Sequence, residues 1–348
     1  MDRVLRVLVV DDSAYVRKVV REILSRSPFV EVVGTARDGL EALDLVAQLD
    51  PDVVTCDLIM PELDGVGFVR EQMKRRPVPI IIMSIANETA EAALTALDAG
   101  AIDFVQKPTA LASEKIFEVS AELIEKVKAA GQIVLNRIAA PPMPIATVSE
   151  PASRIAGSHA VDLVAIGIST GGPQALKRLI PQLPGDFPVP VLIVMHMPVG
   201  YTEMYAARLN ELSQLEVKEA AEGDEIKPGR VILAQAGRHL SVKKDSSGMI
   251  VTHLDARPFN TLHKPAVDVL FQSVAEVYRN RVLGVVMTGM GSDGKQGAAW
   301  IKSQGGLVFT EAESSCVVYG MPSTVVEAGL SDKSIALEGM ARAIREVV

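Results

Sequence analysis

The stretch "LVAIGISTGGP", residues 163–173, is an apolar run that passes at once into a glycine-rich turn and a proline. Such a run, bounded by glycine and proline, reads as a buried strand handing over to a helix. The turn has three possible uses: to cradle a phosphate, to expose a nucleophilic serine, or only to reverse the chain. Gly167, Gly171 and Gly172 do not fit G-x-G-x-x-G, and no G-x-x-x-x-G-K-[ST] occurs, so phosphate binding has weak support. Gly167-Ile168-Ser169-Thr170-Gly171 does satisfy G-x-S-x-G, the spacing of a serine on a sharp strand-to-helix turn. Pro173 suits the first helical position, and the free N–H groups of a helix start can face a developing oxyanion.

A nucleophilic serine needs a base and an orienting acid. His196 ends the apolar run in "VLIVMHMP", and Asp293 lies in "VVMTGMGSDG" after another such run. If these runs are parallel strands, Ser169, His196 and Asp293 all project from one edge of the sheet, where open α/β sheets bind ligands. The chain order Ser, His, Asp differs from the Ser, Asp, His of α/β-hydrolases. Each residue also has a plainer reading. A histidine after a strand is often a loop residue bonded to backbone, and an aspartate before a glycine and a helix is often a cap. His159, His239, His253 and His263 lack ligand-like spacing, so a metal site among them is not expected. Met195, Met197, Met287 and Met290 read as packing residues.

Outward from this stretch, residues 162–168, 190–195, 231–234, 239–242, 250–253, 282–288 and 307–310 read as strands. Helices are expected from Pro173, over 202–212, 267–278 and 294–303, and at the C-terminus. The first half alternates in the same way, with strands at 5–10, 30–34, 53–57, 79–84 and 102–105 and helices between them. Apolar strands alternating with helices imply parallel sheets covered on both faces. Residues 139–160, "AAPPMPIATVSEPASRIAGSHA", lose periodicity and read as a linker. The expected fold is therefore α/β, with two doubly wound parallel-sheet domains, the second Rossmann-like with a short β insertion, joined by a linker. The boundaries are 1–125, then 126–159 as helix extension and linker, then 160–348.

Composition narrows the function. The 348 residues carry 43 acidic against 35 basic side chains, a formal net charge of −8, which argues against a nucleic-acid or anionic-membrane surface over the whole molecule. Two cysteines, Cys56 and Cys316, offer neither a disulfide framework nor a zinc pattern, and a reducing cytoplasm fits them. No apolar run approaches the ~18 residues of a membrane span, so a membrane-inserted protein is not expected.

In the first half, Asp11 and Asp12 follow one strand and Asp57 ends another. Three carboxylates at one sheet edge repel each other unless a hard divalent ion such as Mg²⁺ neutralises them. Lys107, after the fifth strand, can balance a phosphoryl group on one aspartate, and Ser84 adds a hydroxyl to the same rim. Asp12 or Ser13 alone could equally be a helix cap.

"VLVVDDS", "VVTCDLIMPELDG", "IIIMS" and "GAIDFVQKP" resemble the receiver domain of bacterial response regulators over about residues 3–125. The resemblance implies that Asp57 accepts a phosphoryl group from a histidine kinase. It further implies that Asp11, Asp12, Asp57 and the Ile59 carbonyl hold Mg²⁺, that Ser84 and Lys107 contact the phosphoryl group, and that Phe104 reorients. "AIGISTGGP", "MHMPVGYT", "VVMTGMGSDG" and "SSCVVYGMP" resemble the catalytic domain of chemotaxis methylesterases, the CheB family, through residues 160–347. That implies a Ser169 nucleophile, a His196 base, a carboxylate at Asp293 and an oxyanion hole from the Thr170 and Met290 N–H groups. It also implies glutamate methylesterase and glutamine deamidase activity on methyl-accepting chemotaxis receptors, without a cofactor for the hydrolysis. The kinase would be of the chemotaxis type, and the receiver would cover the cleft until Asp57 is phosphorylated. The chain departs from the family's N-x-H-R-P-S-V-D at "NTLHKPAVD", residues 260–268, which is one residue longer and has Lys264 and Ala266 in the Arg and Ser places. Gln235-Ala236-Gly237 stands where P-G-D is common. The rival expectations are a phospho-regulated scaffold with a catalytically dead second half, and a nucleotide-dependent enzyme.

Overall fold

The apolar runs become the inner parallel strands of two sheets, and the amphipathic stretches between them become the crossover helices. The structure, a computed structural model, describes residues 3–85, 90–107, 115–133, 161–258 and 260–348. The chain divides into two compact units, Met1–Ala140 and Pro141–Val348. The expected linker, residues 139–160, lies entirely outside the described residues.

The first unit runs β1 (Leu5–Val10), α1 (Ala14–Leu24), β2 (Val30–Ala36), α2 (Gly39–Leu49), β3 (Val53–Asp57), α3 (Gly65–Arg75), β4 (Ile80–Ser84), α4 (Ala90–Asp98), β5 (Asp103–Gln106) and α5 (Lys115–Ala130). Its five strands are parallel in the order β2-β1-β3-β4-β5, the flavodoxin-like arrangement, whose order reverses beside β1. β3 and β4 are buried along their whole length, as their sequences imply. β2 is not, because it is an edge strand and its Glu31 faces solvent. Ser13, not Asp12, caps α1 by accepting the Val16 N–H. α5 buries Leu123 and Val127 and continues to Ala130, so a boundary at residue 125 falls inside this helix.

The second unit runs β6 (Leu163–Ile168), α6 (Gly172–Leu179), β7 (Val191–Met195), α7 (Thr202–Leu212), β8 (Glu216–Glu219), β9 (Arg230–Leu233), β10 (His239–Lys244), β11 (Ile250–Asp255), α8 (Val267–Tyr278), β12 (Val282–Val286), α9 (Lys295–Ser303), β13 (Leu307–Glu311), α10 (Met321–Glu327), β14 (Lys333–Ile335) and α11 (Leu337–Arg345). Seven strands form a parallel sheet ordered β14-β13-β12-β6-β7-β9-β8, while β10 and β11 make the separate antiparallel insertion. Sequence pattern missed β8 and β14, both at sheet edges. β8 reads Glu-Val-Lys-Glu with one buried side chain, and β14 has three residues, none of them buried.

α8 shows what sets up the site. Val267, Leu270, Phe271, Val274, Ala275 and Tyr278 recur at helical spacing and are all buried in the core with Leu163, Leu192 and Ile232 of the sheet. Each large apolar side chain buried in this way contributes ~1.5–3 kcal/mol. That packing fixes where the first turn of α8 lies, and its N–H groups meet the residues that follow β12.

Candidate active site

In the second unit the strand order reverses between β12 and β6, and ligand crevices in open α/β sheets form at such points. Ser169 follows β6 directly, and His196 follows β7 directly. Ile168 is in register with Met195, so the serine and the histidine are next in line on neighbouring strands, and the His196 N–H donates to Ile168 O at 3.2 Å. The turn after Ser169 is tight. Gly171 has φ +79°, and a Cβ there would stand 2.7 Å from Val317. α6 then starts at Gly172 with no side-chain cap, and Pro173 occupies its second position rather than the first. Tyr205 of α7 donates its hydroxyl to Pro173 O at 2.7 Å, tying the two helices together.

His196 Nε2 lies 2.8 Å from Asp293 Oδ2, and both side chains are largely buried, 8% and 13% exposed. A carboxylate only accepts, so Nε2 carries a proton, and in the neutral ring Nδ1 holds the lone pair. Nδ1 is buried and has no partner among the described residues. This reverses the chymotrypsin-type assignment, in which Nδ1 faces the acid. No hydrogen bond joins Ser169 Oγ to the ring in this structure.

Asp293 is held by α8. Its Oδ2 accepts the Val267 N–H at 2.8 Å and its Oδ1 the Asp268 N–H at 2.9 Å. Asp268 returns the favour, its Oδ1 accepting the Gly294 N–H at 2.9 Å and the Gly297 N–H at 2.7 Å at the start of α9. Each helix thus supplies the acid that satisfies the other's orphan amides. Burial pushes the Asp293 carboxyl up, but the hydrogen bond and charge of His196 and the two amides outweigh it, and the group sits below its ordinary value. At Asp268, burial and the nearby Asp293 charge outweigh the amides and raise the carboxyl.

Thr288 links the loops behind the serine. Its carbonyl accepts the Ser169 N–H at 2.9 Å, and its hydroxyl donates to Thr170 O at 2.9 Å while accepting the Val318 N–H at 3.0 Å. A Cβ on Gly289 would lie 2.7 Å from the Ser169 Cβ, so only glycine allows this approach. The Met290 N–H has no acceptor among the described residues, and a neighbouring glycine, Gly291, turns the chain at φ +82°.

Glu311, at the end of β13, is fully buried and accepts the Thr288 N–H and the Ser315 hydroxyl, each at 2.9 Å. Burial raises its carboxyl against those two bonds. A raised folded value favours the protonated folded state, so the associated stability is present below about pH 4 and is lost as pH rises through the folded value. Glu311→Gln stays neutral, and its carboxamide can accept from Thr288 and donate to Ser315. The variant should gain stability relative to the wild type as pH is raised from about 4. Thermal melts followed by fluorescence of Trp300, the chain's one tryptophan, would measure this. A difference in Tm that stays constant as pH rises would count against the carboxylate as its source.

Sequence reading passed over Asp268, Thr288 and Glu311, and it placed His263 only by what it lacked. The His263 ring in fact stacks on His196, with centroids 4.0 Å apart and planes at 23°. His263 and Asp268 both lie within "NTLHKPAVD", so the quoted stretch already held them. Thr288 likewise lies within "VVMTGMGSDG", while Glu311 left no sequence signal of its own.

In the first unit, carboxylate oxygens of Asp11, Asp12 and Asp57 lie within 4.8 Å of one another. Lys107 Nζ bridges Asp57 Oδ2 at 2.6 Å and Asp11 Oδ2 at 2.9 Å. Burial pushes the Asp57 carboxyl up, against the Lys107 ammonium and the Leu58 N–H. Burial also lowers the ammonium, yet its two carboxylate partners hold it above its ordinary value. One ammonium among three carboxylates leaves negative charge over, and oxygen donors at this spacing suit a hard divalent cation. Ser84 is buried at the end of β4, where its carbonyl accepts the Lys107 N–H at 2.8 Å. Ile59, two residues beyond Asp57, exposes its side chain. Phe104 is buried, and Lys126 Nζ donates to its carbonyl at 2.8 Å and to Asp103 Oδ1 at 2.9 Å.

Both halves of this arrangement have relatives. The family model described as CheB methylesterase matches residues 164–344, and that for the response regulator receiver domain matches residues 7–118. Protein-glutamate methylesterase/protein-glutamine glutaminase 5 of Myxococcus xanthus is 50% identical over 345 residues, covering 99% of this chain and 98% of the relative. The protein of the same activity name from Symbiobacterium thermophilum is 45% identical, covering 100% of this chain and 98% of its own. The crystal structure of the Thermotoga maritima CheB methylesterase catalytic domain superposes with a TM-score of 0.53 at 41% identity, over 54% of this chain and all of that one. This chain belongs to the CheB methylesterase family, with a response-regulator receiver domain ahead of its esterase domain.

Proposed function

We propose that the chain is a cytoplasmic, phosphorylation-activated hydrolase. It removes methyl esters from glutamate side chains, and deamidates glutamine side chains, of methyl-accepting chemotaxis receptors. Ser169 is the nucleophile, His196 the base and Asp293 its orienting carboxylate. The observation that carries this reading is the 2.8 Å His196–Asp293 bond, formed on a strand end beside Ser169. No helix among the described residues is long and apolar enough to cross a membrane.

Ser169 Oγ attacks the ester carbonyl while His196 Nδ1 takes its proton. The imidazolium that forms is balanced by Asp293, whose charge the first amides of α8 already stabilise. The carbonyl oxygen becomes an oxyanion facing the Thr170 and Met290 N–H groups, and one such donor is typically worth ~3 kcal/mol in the transition state. His196 then protonates the departing methanol, or ammonia from an amide. Water repeats the sequence through the same nitrogen and frees the carboxylate. Proton transfer of this kind contributes ~10²–10⁴ in rate.

In the receiver, Asp57 takes a phosphoryl group from a chemotaxis-type histidine kinase. Mg²⁺ held by Asp11, Asp12, Asp57 and the Ile59 carbonyl would supply charge neutralisation for that transfer. Lys107 exchanges its carboxylate partner for phosphoryl oxygens, Ser84 offers its hydroxyl, and Phe104 changes position in response.

Methanol release from methylated receptor membranes tests the gating. Acetyl phosphate with Mg²⁺ should raise the wild-type rate on the order of 10–100-fold, the range of a typical coupling between sites. Asp57→Ala should keep the resting rate and lose the rise. A rate indifferent to both the donor and Asp57 would remove the gating from this reading.

A further inference from the structure

His239, the first residue of β10, is buried outside the triad and outside the metal cluster. Its two ring nitrogens reach the two ends of one segment. Nδ1 accepts the Ala266 N–H at 3.1 Å, and Nε2 lies 3.1 Å from Pro258 O. A carbonyl only accepts, so Nε2 carries the proton, Nδ1 the lone pair, and the ring is neutral. The Thr261 hydroxyl stands 3.2 Å from the same Nε2, and the Gly237 N–H donates to Lys264 O at 2.9 Å. The imidazole thereby closes the 258–266 segment like a staple.

That segment touches the triad twice. It carries His263, whose ring stacks on His196. It also ends at the start of α8, where three consecutive amides divide their work. The Ala266 N–H goes to His239, and the Val267 and Asp268 N–H groups go to Asp293. The register that presents two amides to the triad acid is thus set one residue earlier by the His239 ring.

We propose that His239 is a positioning residue of the esterase. Its Nδ1 lone pair holds the Ala266 amide, and through it both the helix start that orients Asp293 and the ring packed on His196. The inference rests on the triad assignment above. Burial keeps the imidazole below its ordinary value, so it stays in the acceptor form at neutral pH.

The two amide side chains separate the ring's functions. The Asn carbonyl stands near Nδ1 and can accept from Ala266. A Gln amide stands near Nε2 and can reach Pro258 but not Ala266. In the full-length protein, His239→Ala should lower kcat for methanol release by about 10–100-fold with KM within about twofold, the scale of a small misplacement of catalytic groups. His239→Asn should recover most of that loss and His239→Gln should not. A fluorophosphonate probe, followed to its labelled residue, reports on Ser169 independently. Labelling elsewhere in the wild type would fell the triad assignment itself. Labelling at Ser169 with equal kcat for Asn and Gln, or with a loss confined to KM, would overturn the role of His239. The Asn–Gln comparison decides the matter even if the alanine variant does not fold.

Discussion

Replacing Ser169 by alanine is expected to lower methanol release by at least about 10⁴-fold, the scale seen when a member of a serine triad is removed. The fold should not notice. Both hydrogen bonds at this residue, to Thr288 O at 2.9 Å and from the Gly172 N–H at 2.7 Å, are made by its backbone. The Cβ that fits against Gly289 is kept. Stability should stay within about 0.5 kcal/mol of the wild type, as for a substitution that removes no buried partner. Phosphorylation of Asp57 by acetyl phosphate should be unaltered, which separates a dead esterase from a damaged chain. His196→Ala should cost a similar factor, and the double variant little more, because the pair acts as a unit. Release that survives Ser169→Ala within tenfold would place the nucleophile elsewhere and favour a scaffold role for this serine.

The parts of the architecture that were legible from sequence are those where burial and period agree. β6, β7 and β12 are apolar throughout because neighbours cover both of their faces, and α8 shows its buried residues at helical spacing. β8 and β14 were not legible because an edge strand pairs on one side only and tolerates Glu216, Lys218 and Lys333. The candidate site follows the same division. Positions directly after apolar runs point to Ser169 and His196, and the loop that follows β12 holds Asp293, since strand ends in a parallel sheet share an edge. The supports do not follow from local pattern. Asp268 bonds amides more than twenty residues away, Glu311 reaches Thr288 from a different strand, and His239 reaches Ala266 from the hairpin. Each depends on two segments meeting in space, and neither segment announces the other.

Asp293→Asn is expected to cost about 10⁴-fold in kcat, as in a serine triad whose acid is made an amide. The geometry says why here. Asp293 Oδ2 accepts from both His196 Nε2 and the Val267 N–H, and Oδ1 accepts from the Asp268 N–H. A carboxamide has one acceptor oxygen for these three donors. With its oxygen on the His196 side, the NH₂ opposes the Asp268 amide. With its NH₂ on that side, it donates to the ring, forces the proton onto Nδ1 and removes the lone pair that must receive the serine proton. The first arrangement leaves a buried donor unsatisfied, at ~1–3 kcal/mol of stability. The second ends general-base catalysis. Asp268→Ala is the discriminating companion, because it removes the Oδ1 that accepts both the Gly294 and Gly297 amides, while Asp268 makes no hydrogen bond to His196. It should lose stability on a similar scale while kcat falls only about tenfold, the penalty of a slightly displaced acid. Equal losses of kcat in the two variants would mean that the junction of α8 and α9, rather than the contact with His196, is what the reaction requires.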